Sequence, residues 1–173
     1  MLKHKVRAAL VAATASIAAL STAGVASAQN GPLYGCTLQT YNGHYVTAVG
    51  GGGRTTDVIH TDATRPLSWE KFTLVDSGDG SPIINYGVQT TNGHYLTAVS
   101  GGGRITDVIH SDATQLRAWE KFTFVWQAPG VYAIQTVNGH YLTAVSGGGR
   151  ITDAIHSDAT TVRAWEKFRV ACG

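Results

Sequence analysis

NGHYLTAVSGGGRITDVIHSDATQLRAWEKFTFV, residues 92–125, is one of three copies of the same 34-residue passage, the others beginning at Asn42 and Asn138. The copy at 42–75 reads NGHYVTAVGGGGRTTDVIHTDATRPLSWEKFTLV, and the copy at 138–171 reads NGHYLTAVSGGGRITDAIHSDATTVRAWEKFRVA. The second and third copies agree at 28 of 34 positions without a gap. A repeat this short is one supersecondary unit, which buries a core only by joining its neighbours. The architecture therefore follows from what one unit is and how three of them close.

Each unit reads as strands. Asn-Gly at 42, 92 and 138 lies between runs such as Val88-Gln89-Thr90 and Tyr95 to Val99, the strongest short-range hairpin signal. A second turn follows at Ser100-Gly101-Gly102-Gly103, where glycine admits positive φ. A strand is expected from Arg104 to Ser111, then a loop around Asp112-Ala113-Thr114, then a last strand from Glu120 to Val125. No segment sustains a helical period. Four strands per unit and three units predict an all-β, closed, twelve-strand, pseudo-threefold arrangement, a β-trefoil, with repeats at about 35–86, 87–131 and 132–173. A propeller fails on number, since it needs at least ~4 blades. The linkers Asp76 to Tyr86 and Gln127 to Val131, with Pro82 and Pro129, read as connecting loops.

Residues 1–28 stand outside this pattern. Lys3, Lys5 and Arg7 precede an apolar run that ends in Ala26-Ser27-Ala28, the form of a secretory signal peptide with its cleavage site. No other segment approaches the ~18 apolar residues that span a bilayer, so no membrane span is expected after cleavage. Residues 29–173 then form one domain carrying 10 Lys and Arg against 11 Asp and Glu. Near neutrality and without a basic stripe, it offers no electrostatic footprint for nucleic acid. It is expected to be a secreted monomer. The only two cysteines, Cys36 and Cys172, flank the repeats. In an oxidising compartment they are expected to pair, which on the chain-entropy picture adds on the order of 4 kcal/mol and brings the chain ends together.

Drift between the copies is uneven. Leu74 becomes Phe124 and Val170, and Val108 becomes Ala154, whereas a polar and aromatic set is the same in all three. It comprises Arg54/Arg104/Arg150, Asp57/Asp107/Asp153, His60/His110/His156, Asp62/Asp112/Asp158, Trp69/Trp119/Trp165, Glu70/Glu120/Glu166 and Lys71/Lys121/Lys167. Cores tolerate volume-preserving swaps, so fixed polar residues imply another constraint. They form a repeated ligand site, or they cap turns and pair with one another within each copy.

The phrase Asn-Gly-His-Tyr-Leu-Thr-Ala, followed by a glycine turn and a Trp near the last strand, resembles the fascin-like β-trefoil repeat across residues 35–172. The resemblance implies the fold and leaves the activity open. Secreted trefoils include ricin-type lectins and carbohydrate-binding modules, whose repeats commonly carry one sugar site each; this chain lacks the ricin-type Gln-x-Trp signature. Function must be argued from the site.

The Trp-Glu-Lys-Phe element gives the sharpest candidate. Strand side chains alternate, so if Phe122 and Phe124 face the core, Trp119 projects outward. An outward indole can stack on the apolar face of a pyranose while Glu120 and Lys121 bond its hydroxyls. Alternatively a bulge returns Trp119 to the core. Tyr95 is a second aromatic candidate. Arg104, Asp107 and His110, with their equivalents, either complete the sugar site with bidentate donors and acceptors or steady the glycine hairpin. Asp112 and Thr114 read as local turn formers.

Other chemistries are excluded or disfavoured. The His and Asp spacings match no metal-ligand motif, so no metal or cofactor is expected, and His44, His94 and His140 read as exposed turn residues. There is no Gly-x-Ser-x-Gly, and Gly101-Gly102-Gly103-Arg104 lacks the Lys-Ser/Thr of a phosphate loop. Catalytic centres seldom recur three times in a small domain, whereas binding sites gain from repetition. The expected function is a non-catalytic, trivalent carbohydrate-binding trefoil that takes a polysaccharide or oligosaccharide. The alternative from another class is a protein-interaction trefoil, either a filament cross-linker or an inhibitor.

Overall fold

The structure is a computed structural model that describes residues 31–78 and 85–173. The signal peptide expected at 1–28 and the linker residue Pro82 lie outside the described residues. The first repeat contributes β1 (Leu33–Gln39), β2 (Tyr45–Ala48), β3 (Ile59–Ala63) and β4 (Phe72–Asp76). The second contributes β5 (Asn85–Gln89), β6 (Tyr95–Ala98), β7 (Ile109–Ala113) and β8 (Lys121–Ala128). The third contributes β9 (Val131–Gln135), β10 (Tyr141–Ala144), β11 (Ile155–Ala159) and β12 (Lys167–Ala171).

The pairing closes on itself. β1 pairs β4, β4 pairs β5, β5 pairs β8, β8 pairs β9, β9 pairs β12 and β12 returns to β1, all antiparallel. That ring is a six-stranded barrel. The hairpins β2–β3, β6–β7 and β10–β11 stand off it, each joined to its barrel strand by one Gln–Tyr pair: Gln39↔Tyr45, Gln89↔Tyr95 and Gln135↔Tyr141. A six-stranded barrel capped by three hairpins is the β-trefoil.

Period-2 alternation fills the barrel. Phe72, Phe122 and Phe168 are each 1% exposed and share a layer with Leu38, Val88 and Ile134. Burial on this scale stabilises by about 1.5–3 kcal/mol per large side chain. Val46, Leu96 and Leu142 with Ala48, Ala98 and Ala144 continue the core into the cap.

The repeated Asn-Gly-His and glycine phrases meet across repeat boundaries. The side-chain amide of Asn92 donates to the Gly50 carbonyl at 3.0 Å, that of Asn138 to Ser100 at 2.9 Å, and that of Asn42 to Ser146 at 3.0 Å. Each glycine turn thus receives the next repeat, and the third receives the first. Gly52 has φ 102° and ψ −176°, a region essentially restricted to glycine, and an added Cβ there would lie inside the Thr90 side chain. The invariance of these phrases has a packing cause. At the termini, β1 pairs β12 and Cys36 is bonded to Cys172 across a separation of 136 residues.

Several boundaries differ from expectation: Asp76 closes β4 and Asn85 and Tyr86 open β5, so the first linker is shorter than Asp76 to Tyr86, and Glu120 lies in a 3-10 turn before β8. β7 begins at Ile109 rather than Arg104, because Asp107 takes a left-handed φ of 48° that no strand accommodates. Asp112 and Ala113 belong to β7 rather than to a loop. β8 extends to Ala128, so Gln127 is strand and the turn shrinks to Pro129-Gly130, where Gly130 has φ 70°.

Candidate functional site

The glutamates expected at the sugar face point inward instead. Glu70, Glu120 and Glu166 are each 6% exposed. One carboxylate oxygen accepts from the hydroxyl of Thr47, Thr97 or Thr143 at 2.8, 2.8 and 2.9 Å. The other accepts from the backbone N–H of Leu67, Arg117 or Arg163 at 2.7, 2.9 and 2.7 Å. Both oxygens are engaged, so these carboxylates lock the turn before the last strand of each repeat to its β2-type strand. The assignment of Glu70, Glu120 and Glu166 to a sugar site is corrected accordingly: a buried carboxylate with its partners in place is not offered to a ligand.

That turn sets the tryptophans outward. Trp69 and Trp119 sit in short 3-10 turns, Ser68–Glu70 and Ala118–Glu120, and Trp165 in the matching turn of the third repeat. Their exposures are 48%, 49% and 46%. The outward direction agrees with the sequence argument, but its cause is a helical turn in which Glu faces in and the indole faces out, not strand alternation. Lys71 is exposed, and Lys121 and Lys167 are half-buried. A groove of about 470 Å³ lies against the Trp119 turn, lined by Asn85, Leu116, Arg117, Ala118, Lys121, Thr123 and Val137.

Arg, Asp and His form a separate cluster in each repeat. Asp57 shares its oxygens between His60 Nε2 at 2.7 Å and Arg54 at 3.4 Å. Asp107 does the same with His110 at 2.7 Å and Arg104 at 3.5 Å, and Asp153 with His156 at 2.6 Å and Arg150 at 3.5 Å. The His60 hydrogen bond, opposed by desolvation and helped by the charges of His60 and Arg54, holds the Asp57 carboxyl below its ordinary value. Each Asp carries positive φ, 49°, 48° and 50°, so the cluster pins a left-handed corner.

These corners surround a bowl of about 610 Å³ on the pseudo-threefold axis, lined equally by residues 55–59, 105–109 and 151–155. Its lining shares no residue with the groove at Trp119. The expected composite site therefore divides: the tryptophans and lysines on the flank, the glutamates inside, and Arg54, Asp57, His60 and their equivalents at the cap.

The histidines of the Asn-Gly-His phrase are also displaced from expectation. His44, His94 and His140 are half-buried rather than exposed, each with a buried Nδ1 lacking a hydrogen-bond partner. Their rings cover Gly149, Gly53 and Gly103 of the adjoining repeats. The groove residues Leu116, Arg117 and Val137 lie at positions that differ among the repeats, so identity between copies does not point to them. Thr91 and Val137 precede their Asn-Gly turns and approach a Trp turn of the preceding repeat only in the fold, so no local signal in the sequence marks them.

No protein-family model and no curated protein matches the sequence. Solved structures do match in fold. The designed 3-fold symmetric protein ThreeFoil is 13% identical with a TM-score of 0.64, over 82% of this chain and 99% of its own. The Rhizoctonia solani agglutinin is 14% identical with a TM-score of 0.64, over 83% and 95%. SeviL, in a structure bound to asialo-GM1 saccharide, is 13% identical with a TM-score of 0.56, over 82% and 96%. A similar fold also occurs within longer glycoside-cleaving chains, a GH43 β-1,3-galactosidase and an exo-β-1,3-galactanase from Clostridium thermocellum, of which the matched part is 26% and 31%. The chain is a β-trefoil.

Proposed function

We propose that this protein is a secreted, non-catalytic carbohydrate-binding trefoil that engages a polysaccharide through three flank sites centred on Trp69, Trp119 and Trp165. The observation that carries the reading is the exposure of all three indoles at 46–49% in equivalent turns. Large aromatic surface held half out of a rigid turn suits stacking on sugar C–H faces, and Lys71, Lys121 and Lys167 supply donors nearby. Similarity of fold to an agglutinin and to a saccharide-bound protein is consistent with it. Export is supported by the leader pattern of residues 1–28 and by the Cys36–Cys172 bond. Three weak sites on one rigid body raise affinity for a polymer through effective concentration.

The three flanks are not identical. Thr91 donates to the Ser68 carbonyl at 2.6 Å beside the Trp69 turn, Val137 lies against the Trp119 turn, and Tyr41, 65% exposed, holds the matching position for Trp165. An added exposed aromatic makes the Trp165 flank the strongest of the three. The test is binding to a panel of soluble and insoluble polysaccharides, followed by calorimetry on an oligosaccharide from any hit. A stoichiometry approaching three supports the reading. Failure across the panel overturns it and transfers the flank surface to a protein partner.

A further inference from the structure

The barrel mouth departs from the triplication. One layer inside, Phe72, Phe122 and Phe168 are identical and Leu38, Val88 and Ile134 are close in size. In the outermost layer the matching positions are Cys36, Tyr86 and Tyr132, and Leu74, Phe124 and Val170. The large rings fall together on β5, β8 and β9. Tyr86 meets Phe124 edge-on at 5.6 Å and 90°, and Phe124 meets Tyr132 at 6.3 Å and 64°. Among the described residues, the rest of the lining is Leu33, Leu74, Gly130, Val170 and Cys172. The mismatch leaves a cavity of about 410 Å³ at the mouth, with buried Leu74 in its lining.

We propose that this mouth binds one small, uncharged, largely apolar molecule whose ring or alicyclic face packs against Tyr86, Phe124 and Tyr132. The volume lies in the lower part of the range of about 300–1,000 Å³ that small-molecule sites occupy. Among the described residues, no lining side chain carries an ammonium, guanidinium or carboxylate, and the side-chain oxygens of the lining are two phenols. That inventory cannot compensate the desolvation of an ion or of a polyhydroxylated sugar, which separates this cavity from the tryptophan flanks. It suits an apolar body with at most one or two hydrogen-bonding groups. Burial, with Asp76 and then Tyr132 adding, pushes the Tyr86 phenol up, which keeps it a neutral donor at the cavity wall. Displacing poorly held water from such a surface favours binding.

The cavity exists through the breaking of the repeat and so is not repeated by the threefold symmetry of the described residues, and the expected stoichiometry is one. The test is a fluorescence titration of the purified protein with N-phenyl-1-naphthylamine, a neutral apolar probe. Saturable enhancement at one probe per chain is expected, unchanged in Trp119→Ala. Val170→Phe, which gives the third repeat the ring of the second, and Leu33→Trp, which covers the rim, should each weaken binding at least tenfold while the β-sheet circular dichroism is retained. If Val170→Phe does not fold, Leu33→Trp decides. Absence of saturable enhancement, a stoichiometry near three, or unchanged affinity in a folded cavity variant overturns the proposal. Polysaccharide binding is read separately and does not bear on this outcome.

Discussion

Replacing Glu120 with Ala separates the structural from the ligand-binding role of the invariant Trp-Glu-Lys element. The change removes the acceptor of two hydrogen bonds, from Thr97 Oγ1 at 2.8 Å and Arg117 N at 2.9 Å. Bonds to a charged group contribute about 1.5–3 kcal/mol each, so the gross loss is about 3–6 kcal/mol. Relief of the buried charge's own desolvation offsets part of it, leaving a net loss of about 3 kcal/mol. For a domain of this size that is roughly a 10 °C fall in Tm. Thr97→Val, which removes one partner, should cost about half as much, and Glu120→Gln, which can still bond both groups, less again. Urea denaturation and thermal melts of the three variants read this order directly. If Glu120→Ala kept the wild-type stability to within about 0.5 kcal/mol yet lost polysaccharide binding, the carboxylate would be a ligand group and not a lock on the turn.

Single Trp69→Ala, Trp119→Ala and Trp165→Ala variants should each lose less than about 1 kcal/mol of stability, as half-exposed surface changes do, and each should remove one site by calorimetry; the largest drop in polymer affinity is expected for Trp165. Gly52→Ala should destabilise by about 3–5 kcal/mol, summing backbone strain at its φ of 102° and the clash with Thr90, as measured by denaturant titration. Asp57→Asn tests the corner cluster through pH. Because the native carboxyl is held below 3.8, the unfolded chain binds more protons as the pH falls through that range, so the stability due to ionised Asp57 is present above about 3.8 and lost below it. The difference in denaturation midpoint between wild type and variant should therefore be visible at pH 6 and shrink under strong acid.

The fold was legible because Asn-Gly turns, glycine runs and alternating residues are local signals, and the threefold repetition multiplied each of them. The inward face of Phe122, entertained from strand alternation, is the buried one, and its equivalents Phe72 and Phe168 share it. The site was legible only in part. Identity among repeats cannot distinguish a residue fixed by a ligand from one fixed by its neighbour in the chain. Glu120 is fixed by Thr97, 23 residues away, and by a backbone amide, and Asp107 by His110 and Arg104, each three residues from it. Asn92 is fixed by Gly50, a residue of another repeat. Strand alternation offered an outward Trp119 and a bulge a buried one; the indole faces out, and a 3-10 turn rather than alternation is the agent. The mouth cavity was invisible in the repeats because it arises from the positions at which they disagree.

The Asn-to-glycine-turn contacts run in one direction around the axis, each repeat gripping the one before it, with the third-to-first contact geometrically the same as the two between sequence neighbours. Such a head-to-tail interface closes after three rotations, and it does not depend on the covalent links between repeats. Each repeat therefore carries both halves of the surface by which repeats meet, the Asn side chain that grips one neighbour and the glycine-turn carbonyl that receives the other.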